Sequence, residues 1–121
     1  ADYISIHMPL NSKTKNIIDL NKLKSMKKNT IIINTSRGGI VNENDLDEAV
    51  KKKVIFGAGL DVFVKEPIEI NNPLIKNKQI LLSPHSATFT EECKKRMGLQ
   101  TVQNLIDFFE KKLQKNMIVN L

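Results

Sequence analysis

The sequence predicts an α/β fold built on a parallel sheet, and three observations carry that prediction. Apolar or β-branched runs recur at 3–8, 30–34, 58–62 and 79–85, and stretches with helical apolar spacing separate them. One run, "TIIIN", is almost continuously β-branched, the pattern of a strand covered on both faces in a parallel sheet. Four residues with chemical capacity, His7, Arg37, Asp61 and His85, fall at the carboxyl ends of these runs. Parallel strands joined by helices take right-handed crossovers, and such sheets bind ligands beyond the carboxyl ends of their strands.

Each element has a local justification. "YISIHM" alternates and is rich in β-formers, and Pro9 stops it. Asp19 can cap a short helix over 20–28, with Leu20, Leu23 and Met26 facing inward. After "TIIIN", Asn42 begins a second helix, with Asp45 at the third helical position as a capping-box partner. Leu46, Ala49 and Val50 form its apolar stripe. "AGLDV" reads as a buried strand whose glycines imply close packing. Residues 64–78, with Pro67 and Pro73, read as a surface connection, and "QILLSPH" as a strand ended by Pro84. A long helix follows from about Thr90 to Lys112, carrying Met97, Val102, Leu105, Ile106 and Phe109 at helical spacing, with Leu113 just beyond.

Composition narrows the class. An apolar content of 40% supports a packed core, and no run of apolar residues is long enough for a membrane span. The lone Cys93 excludes an internal disulfide, fits a reducing, cytoplasmic compartment, and reads as a helix-surface thiol. The net charge of +6 comes from 17 Lys and 2 Arg against 13 acids. The clusters "KSMKK", "VKKK" and "EKKLQK" sit near helix C-termini, where cations complement the dipole and stay solvated. One Tyr and no Trp leave little for base stacking, so the charge argues against a nucleic-acid partner. No metal site is expected. With "ADYISIHMPL" starting almost directly in a strand and no initiator Met, the chain reads as the interior of a longer protein.

The chemistry points to three residues. Arg37, in "NTSRGG", offers a planar fork of donors that suits a carboxylate, and Gly38 and Gly39 permit close backbone approach behind it. His85, in "SPHSAT", is the proton donor or acceptor suited to neutral pH. Glu66, in "VFVKEP", is a carboxylate that could hold the second ring nitrogen of a histidine and fix its tautomer.

The order and flanks of these residues resemble those of the NAD-dependent D-isomer-specific 2-hydroxyacid dehydrogenases. "ADYISIHMPL" resembles the family's strand and His-x-Pro-Leu loop, and "MKKNTIIINTSRGGIVNENDL" its most diagnostic segment. "GAGLDVFVKEP" and "LLSPHSATFTEE" resemble the segments bearing its catalytic acid pair, and the likeness runs from Ala1 to about Asn120. The resemblance implies a Rossmann-type doubly wound parallel sheet, of which this chain is the second half plus a long C-terminal helix returning towards a missing substrate domain. Residues 1–89 would be the catalytic half of the NAD-binding domain, and 90–121 the helix and tail.

The resemblance also implies roles. Arg37 would anchor the substrate carboxylate, His85 would be the general acid and base, and Glu66 would stabilise its imidazolium. Thr35, Ser36, Asp61, His85 and Ala87 would lie against NAD, with Met8 and Pro9 near its ribose. The implied partner is a small 2-hydroxy or 2-keto acid, with D-3-phosphoglycerate, in serine biosynthesis, expected first. Glyoxylate or hydroxypyruvate reduction, D-lactate oxidation, and a non-catalytic NAD-sensing module are the alternatives. A homodimer is implied for the full-length protein. Two departures from the family pattern stand out. Ala87 replaces a frequent Gly two residues beyond the histidine, and Lys53 stands where a left-handed Gly commonly follows the second helix. The Gly-rich pyrophosphate turn is absent, so the chain alone is expected to be inactive, to bind NAD weakly and to self-associate.

Overall fold

A computed structural model describes residues 1–118, in two compact units: residues 1–87, and a second from Thr88 onward. In the first unit, strands β1 (Tyr3–Ile6), β2 (Ile31–Asn34), β3 (Gly57–Leu60) and β4 (Ile80–Leu82) form one parallel sheet in chain order. Helices α1 (Leu20–Lys24) and α2 (Glu43–Lys51) supply the first two crossovers. This is the α/β pattern that the alternation predicts.

Register decides which residues are buried. Ile32, Ala58 and Ile80 are aligned across β2, β3 and β4, and all three join Leu23 of α1 and Leu46, Ala49 and Val50 of α2 in one apolar core. The opposite face is less covered: Ile31 and Ile33 are half-buried and Leu81 is 76% exposed. The expectation that "TIIIN" is covered on both faces therefore holds for one face only among the described residues.

Local chemistry explains where the elements stop. Helix α1 ends at Lys24 rather than continuing to residue 28, because the Ser25 hydroxyl donates to the Lys22 carbonyl and competes with helical continuation. Asn42 caps α2 by accepting from the Asp45 amide at 3.1 Å, but Asp45 does not complete a capping box. Its carboxylate accepts instead from the Leu20 amide at 2.9 Å, and the Asn42 amide donates to the Ile18 carbonyl, tying the two helices together. Strand β3 stops at Leu60, so Asp61 lies just past its end. The 64–78 connection is more ordered than expected: Asn72 caps a short 3₁₀ turn at Pro73–Lys76 that buries Leu74 completely.

Lys53 adopts φ +56° in a Schellman motif that closes α2, with Val54 N–H on the Ala49 carbonyl and Lys53 N–H on that of Val50. The left-handed conformation costs a β-carbon-bearing residue about 1 kcal/mol, as its position suggests. The second unit contains α3 (Glu91–Phe109), capped by Thr90 and ended by the same motif with Lys111 at φ +58°. None of its residues is buried, and Met97, Val102, Leu105, Ile106 and Phe109 are all exposed. No helix among the described residues is long and apolar enough to cross a membrane.

Candidate active site

The parallel register brings chemistry to one edge. Ile6, Asn34, Leu60 and Leu82 are level across the sheet, so His7, Thr35, Asp61 and Ser83 emerge side by side at its carboxyl end. Two bonds extend the ladder past the strands: the Asp61 amide donates to the Asn34 carbonyl and the Ser83 amide to that of Leu60, each at 2.9 Å.

The segment after β2 is shaped by a buried side chain that sequence reasoning missed. Asn34 is 1% exposed, and its Oδ1 accepts from the amide and hydroxyl of Ser36 while its Nδ2 donates to the Arg37 carbonyl. Arg37 itself is exposed, makes no ion pair among the described residues, and donates from Nη1 to the Ser36 carbonyl at 2.7 Å. The two glycines behind it serve different needs. A β-carbon on Gly38 would lie 1.9 Å from the Phe63 carbonyl oxygen, whereas Gly39 has room but sits at φ +81°. Gly38 thus lets the arginine loop touch the backbone of the loop that carries Glu66.

That second loop is held by carboxylates. Glu66 Oε1 accepts from the Phe63 amide at 2.9 Å. Glu43, at the first position of α2, accepts from the Val64 amide at 2.7 Å and from Asn72 Nδ2 at 2.8 Å. Sequence reasoning missed Glu43 as well, because an acid in a helix's first turn gives no local signal of a bracing role.

His85 and Glu66, nineteen residues apart, meet: Nδ1 lies 2.7 Å from Glu66 Oε2. The His85 hydrogen bond and the Phe63 amide outweigh burial and hold the Glu66 carboxyl below its ordinary range, so it is an anion that can only accept. The proton between them therefore resides on Nδ1, leaving Nε2 as the exchangeable position. His85 has φ +52°, a region that a histidine enters at a cost and that concentrates at functional sites.

Asp61 explains how the costly conformation is kept. It is 3% exposed, and its carboxylate accepts from the Ser83 hydroxyl (2.5 Å) and from the amides of Ser86 and Ala87 (2.8 Å each), the residues around His85. Burial would raise this carboxyl, but the three donors and the nearby His85 carry it below its usual value. A group depressed on folding stabilises the protein above its unfolded pKa and loses that contribution as pH falls through the folded one. Asp61→Asn is therefore expected to lower stability by about 1–3 kcal/mol at pH 7. The gap to wild type, followed by thermal unfolding, should close on acidification below about pH 4. A gap independent of pH would contradict this account.

Two cavities adjoin these groups. A cleft of about 580 Å³ is lined by Phe63, Glu66, Pro67, Ile68, Pro84 and His85 among others. A hollow of about 210 Å³ is lined by Ile33, Thr35, Gly59, Asp61, Leu81 and Ser83 among others. Of the remaining expected site residues, Met8 packs half-buried against the core, and exposed Pro9 accepts from the Thr14 hydroxyl through its carbonyl. Ala87 is exposed beside His85, and Ser36 is committed to Asn34.

Comparison with known proteins agrees with this architecture. Residues 1–87 match the family described as D-isomer specific 2-hydroxyacid dehydrogenase, NAD binding domain. A glyoxylate reductase of Aeropyrum pernix is 40% identical over 98% of this chain and 35% of its own length. One from Thermococcus litoralis is 42% identical over the same shares. The NAD-complexed D-isomer specific 2-hydroxyacid dehydrogenase of Lactobacillus delbrueckii ssp. bulgaricus superposes with a TM-score of 0.80 at 28% identity, covering 95% of this chain and 39% of that one. The chain thus spans about a third of the length of the curated relatives it matches. It belongs to the family of NAD-binding domains of D-isomer specific 2-hydroxyacid dehydrogenases.

Proposed function

We propose that the intact protein is an NAD-dependent reductase of small 2-keto acids, with glyoxylate and hydroxypyruvate as substrates. The observation that carries this is the Glu66–His85 pair, an anionic carboxylate on Nδ1 of an exposed histidine at the carboxyl end of a parallel sheet. D-3-Phosphoglycerate and serine biosynthesis, expected first from the sequence, are set aside in favour of one of the alternatives, because the relatives described above are glyoxylate reductases. The proposal includes a cytoplasmic homodimer, with residues 1–89 as the catalytic half-domain and 90–121 as the long C-terminal helix and tail.

Bound NAD(H) supplies the hydride exchanged with the C2 carbon of the acid. The 210 Å³ hollow has apolar walls and a polar rim of Thr35, Asp61 and Ser83, which suits a flat ring bearing an amide. Three of the roughly four acceptor positions of Asp61 are used, so one can still receive an amide N–H. Thr35 and Asp61 would hold the cofactor there, with Ser36 and Ala87 along it outside the hollow and Met8 and Pro9 on the ribose side.

The chain's own groups do the rest. Arg37 grips the substrate carboxylate through its fork of donors. Protonated His85 gives its Nε2 proton to the carbonyl oxygen as the alcohol forms, and takes it back in the oxidative direction. Glu66 keeps Nδ1 protonated throughout, so the exchanged proton always leaves from Nε2.

A steady-state assay on the full-length protein tests this, with NADH against glyoxylate, hydroxypyruvate and pyruvate, and NAD against D-3-phosphoglycerate and D-lactate. Glyoxylate and hydroxypyruvate are expected to give the highest kcat/KM. Preference for D-3-phosphoglycerate or D-lactate would overturn the substrate assignment. NADH binding without turnover of any acid would favour the NAD-sensing module.

A further inference from the structure

Asn34 stands at the end of β2 with its carboxamide buried, and every polar atom of that side chain is spent on two residues. Oδ1 accepts from the Ser36 amide (3.1 Å) and the Ser36 hydroxyl (2.8 Å). Nδ2 donates to the Arg37 carbonyl (2.9 Å). The peptide joining Ser36 to Arg37 is therefore held from both sides. That peptide's own carbonyl, on Ser36, receives the Arg37 guanidinium at 2.7 Å. The chain of contacts runs from a core side chain, through one fixed peptide, to an exposed cation that no carboxylate orients among the described residues.

We infer that Asn34 is the positioning residue for Arg37, setting the direction from which the guanidinium meets a substrate carboxylate. The inference rests on the reading of Arg37 as that anchor. An exposed arginine has many rotamers, and confining one of them before the ligand arrives removes an ordering cost from binding. Only an amide does the work of Asn34: Asp would accept from Ser36 equally well but could not donate to the Arg37 carbonyl.

The test is a double-mutant cycle on the full-length protein, with Asn34→Asp, Arg37→Ala and the pair, read as affinity for oxalate by calorimetric titration in the presence of NADH. Asn34→Asp is expected to weaken oxalate binding about five- to tenfold, the consequence of one lost hydrogen bond to a positioned group. NADH affinity should be retained. In the Arg37→Ala background the same change should add almost nothing, because the residue it acts through is gone. Where oxidisable or reducible acids are turned over, KM should rise more than kcat falls.

Equal loss in both backgrounds, or a drop in thermal stability with oxalate affinity intact, would reduce Asn34 to a structural role and overturn the inference. So would wild-type protein that fails to bind oxalate. Wild-type protein that binds oxalate but reduces no 2-keto acid would remove the reductase reading while leaving the cycle to decide the positioning claim. Should Asn34→Asp fail to fold, Asn34→Ser carries the same cycle.

Discussion

Gly38→Ala is expected to destabilise the intact protein by about 3 kcal/mol or more, or to prevent folding, although it adds one methyl group. The new carbon would sit 1.9 Å from the Phe63 carbonyl oxygen, 2.0 Å from its carbon and 2.7 Å from the Val64 nitrogen. All three are backbone atoms, and none can rotate away. The Val64 amide is already engaged by Glu43, and the Phe63 amide by Glu66, so moving this loop breaks both bonds. Its neighbour provides the control. Gly39→Ala meets nothing nearer than 3.8 Å and suffers only from φ +81°, a cost of about 1–2 kcal/mol. Urea unfolding of the two variants checks the difference. If Gly38→Ala were no worse than Gly39→Ala, the contact between the arginine and glutamate loops would be looser than described.

The pair of glycines also shows how far a sequence can be read. Side-by-side glycines behind an arginine mark an anomaly, but only the folded chain separates a steric need at one from a dihedral need at the other. Apolar runs and patterns of period two and 3.6 suffice for the order of strands and helices, although a continuous run such as "TIIIN" does not say which of its faces is covered. Contacts between distant segments are not written in such patterns. Glu66 and His85 are each recognisable by type, yet nothing in their spacing brings them to 2.7 Å. Asn34 and Glu43 escaped notice for a related reason: a polar strand end and an acid in a helix's first turn already have adequate local explanations. The left-handed backbone of His85 is invisible as well, since Pro84 and its surroundings suggest only a turn. The apolar spacing of Leu20, Leu23 and Met26 continues past Ser25 and so predicts a longer α1 than forms, because the Ser25 hydroxyl ends the helix.

His85→Ala in the intact protein is expected to lower kcat by about 10²- to 10⁴-fold while leaving NADH affinity nearly unchanged, the signature of a lost proton donor. Glu66→Gln is the sharper experiment, because it preserves shape and changes only which atoms can accept. In the wild type, Oε1 takes the Phe63 amide and Oε2 takes Nδ1 of His85. Glutamine has one acceptor oxygen for these two donors. If that oxygen serves Phe63, its NH₂ faces Nδ1 and forces the ring's proton to Nε2, which is the wrong tautomer for accepting a proton in the oxidative direction. If it serves His85, the Phe63 bond is lost and the loop loosens. Either way kcat should fall at least on the order of 10²-fold. The pH dependence separates this from general damage. Since the Glu66 carboxyl is held below its ordinary range by His85, the pairing is complete above the usual glutamate pKa of about 4.3 and is lost as pH falls through the lowered folded value. Wild-type activity should therefore show an acid-side decline displaced below the glutamate range, and Glu66→Gln, with no proton to gain there, should not show it. Identical acid limbs in the two proteins, measured as kcat/KM across the range, would mean that Glu66 does not control the proton on His85.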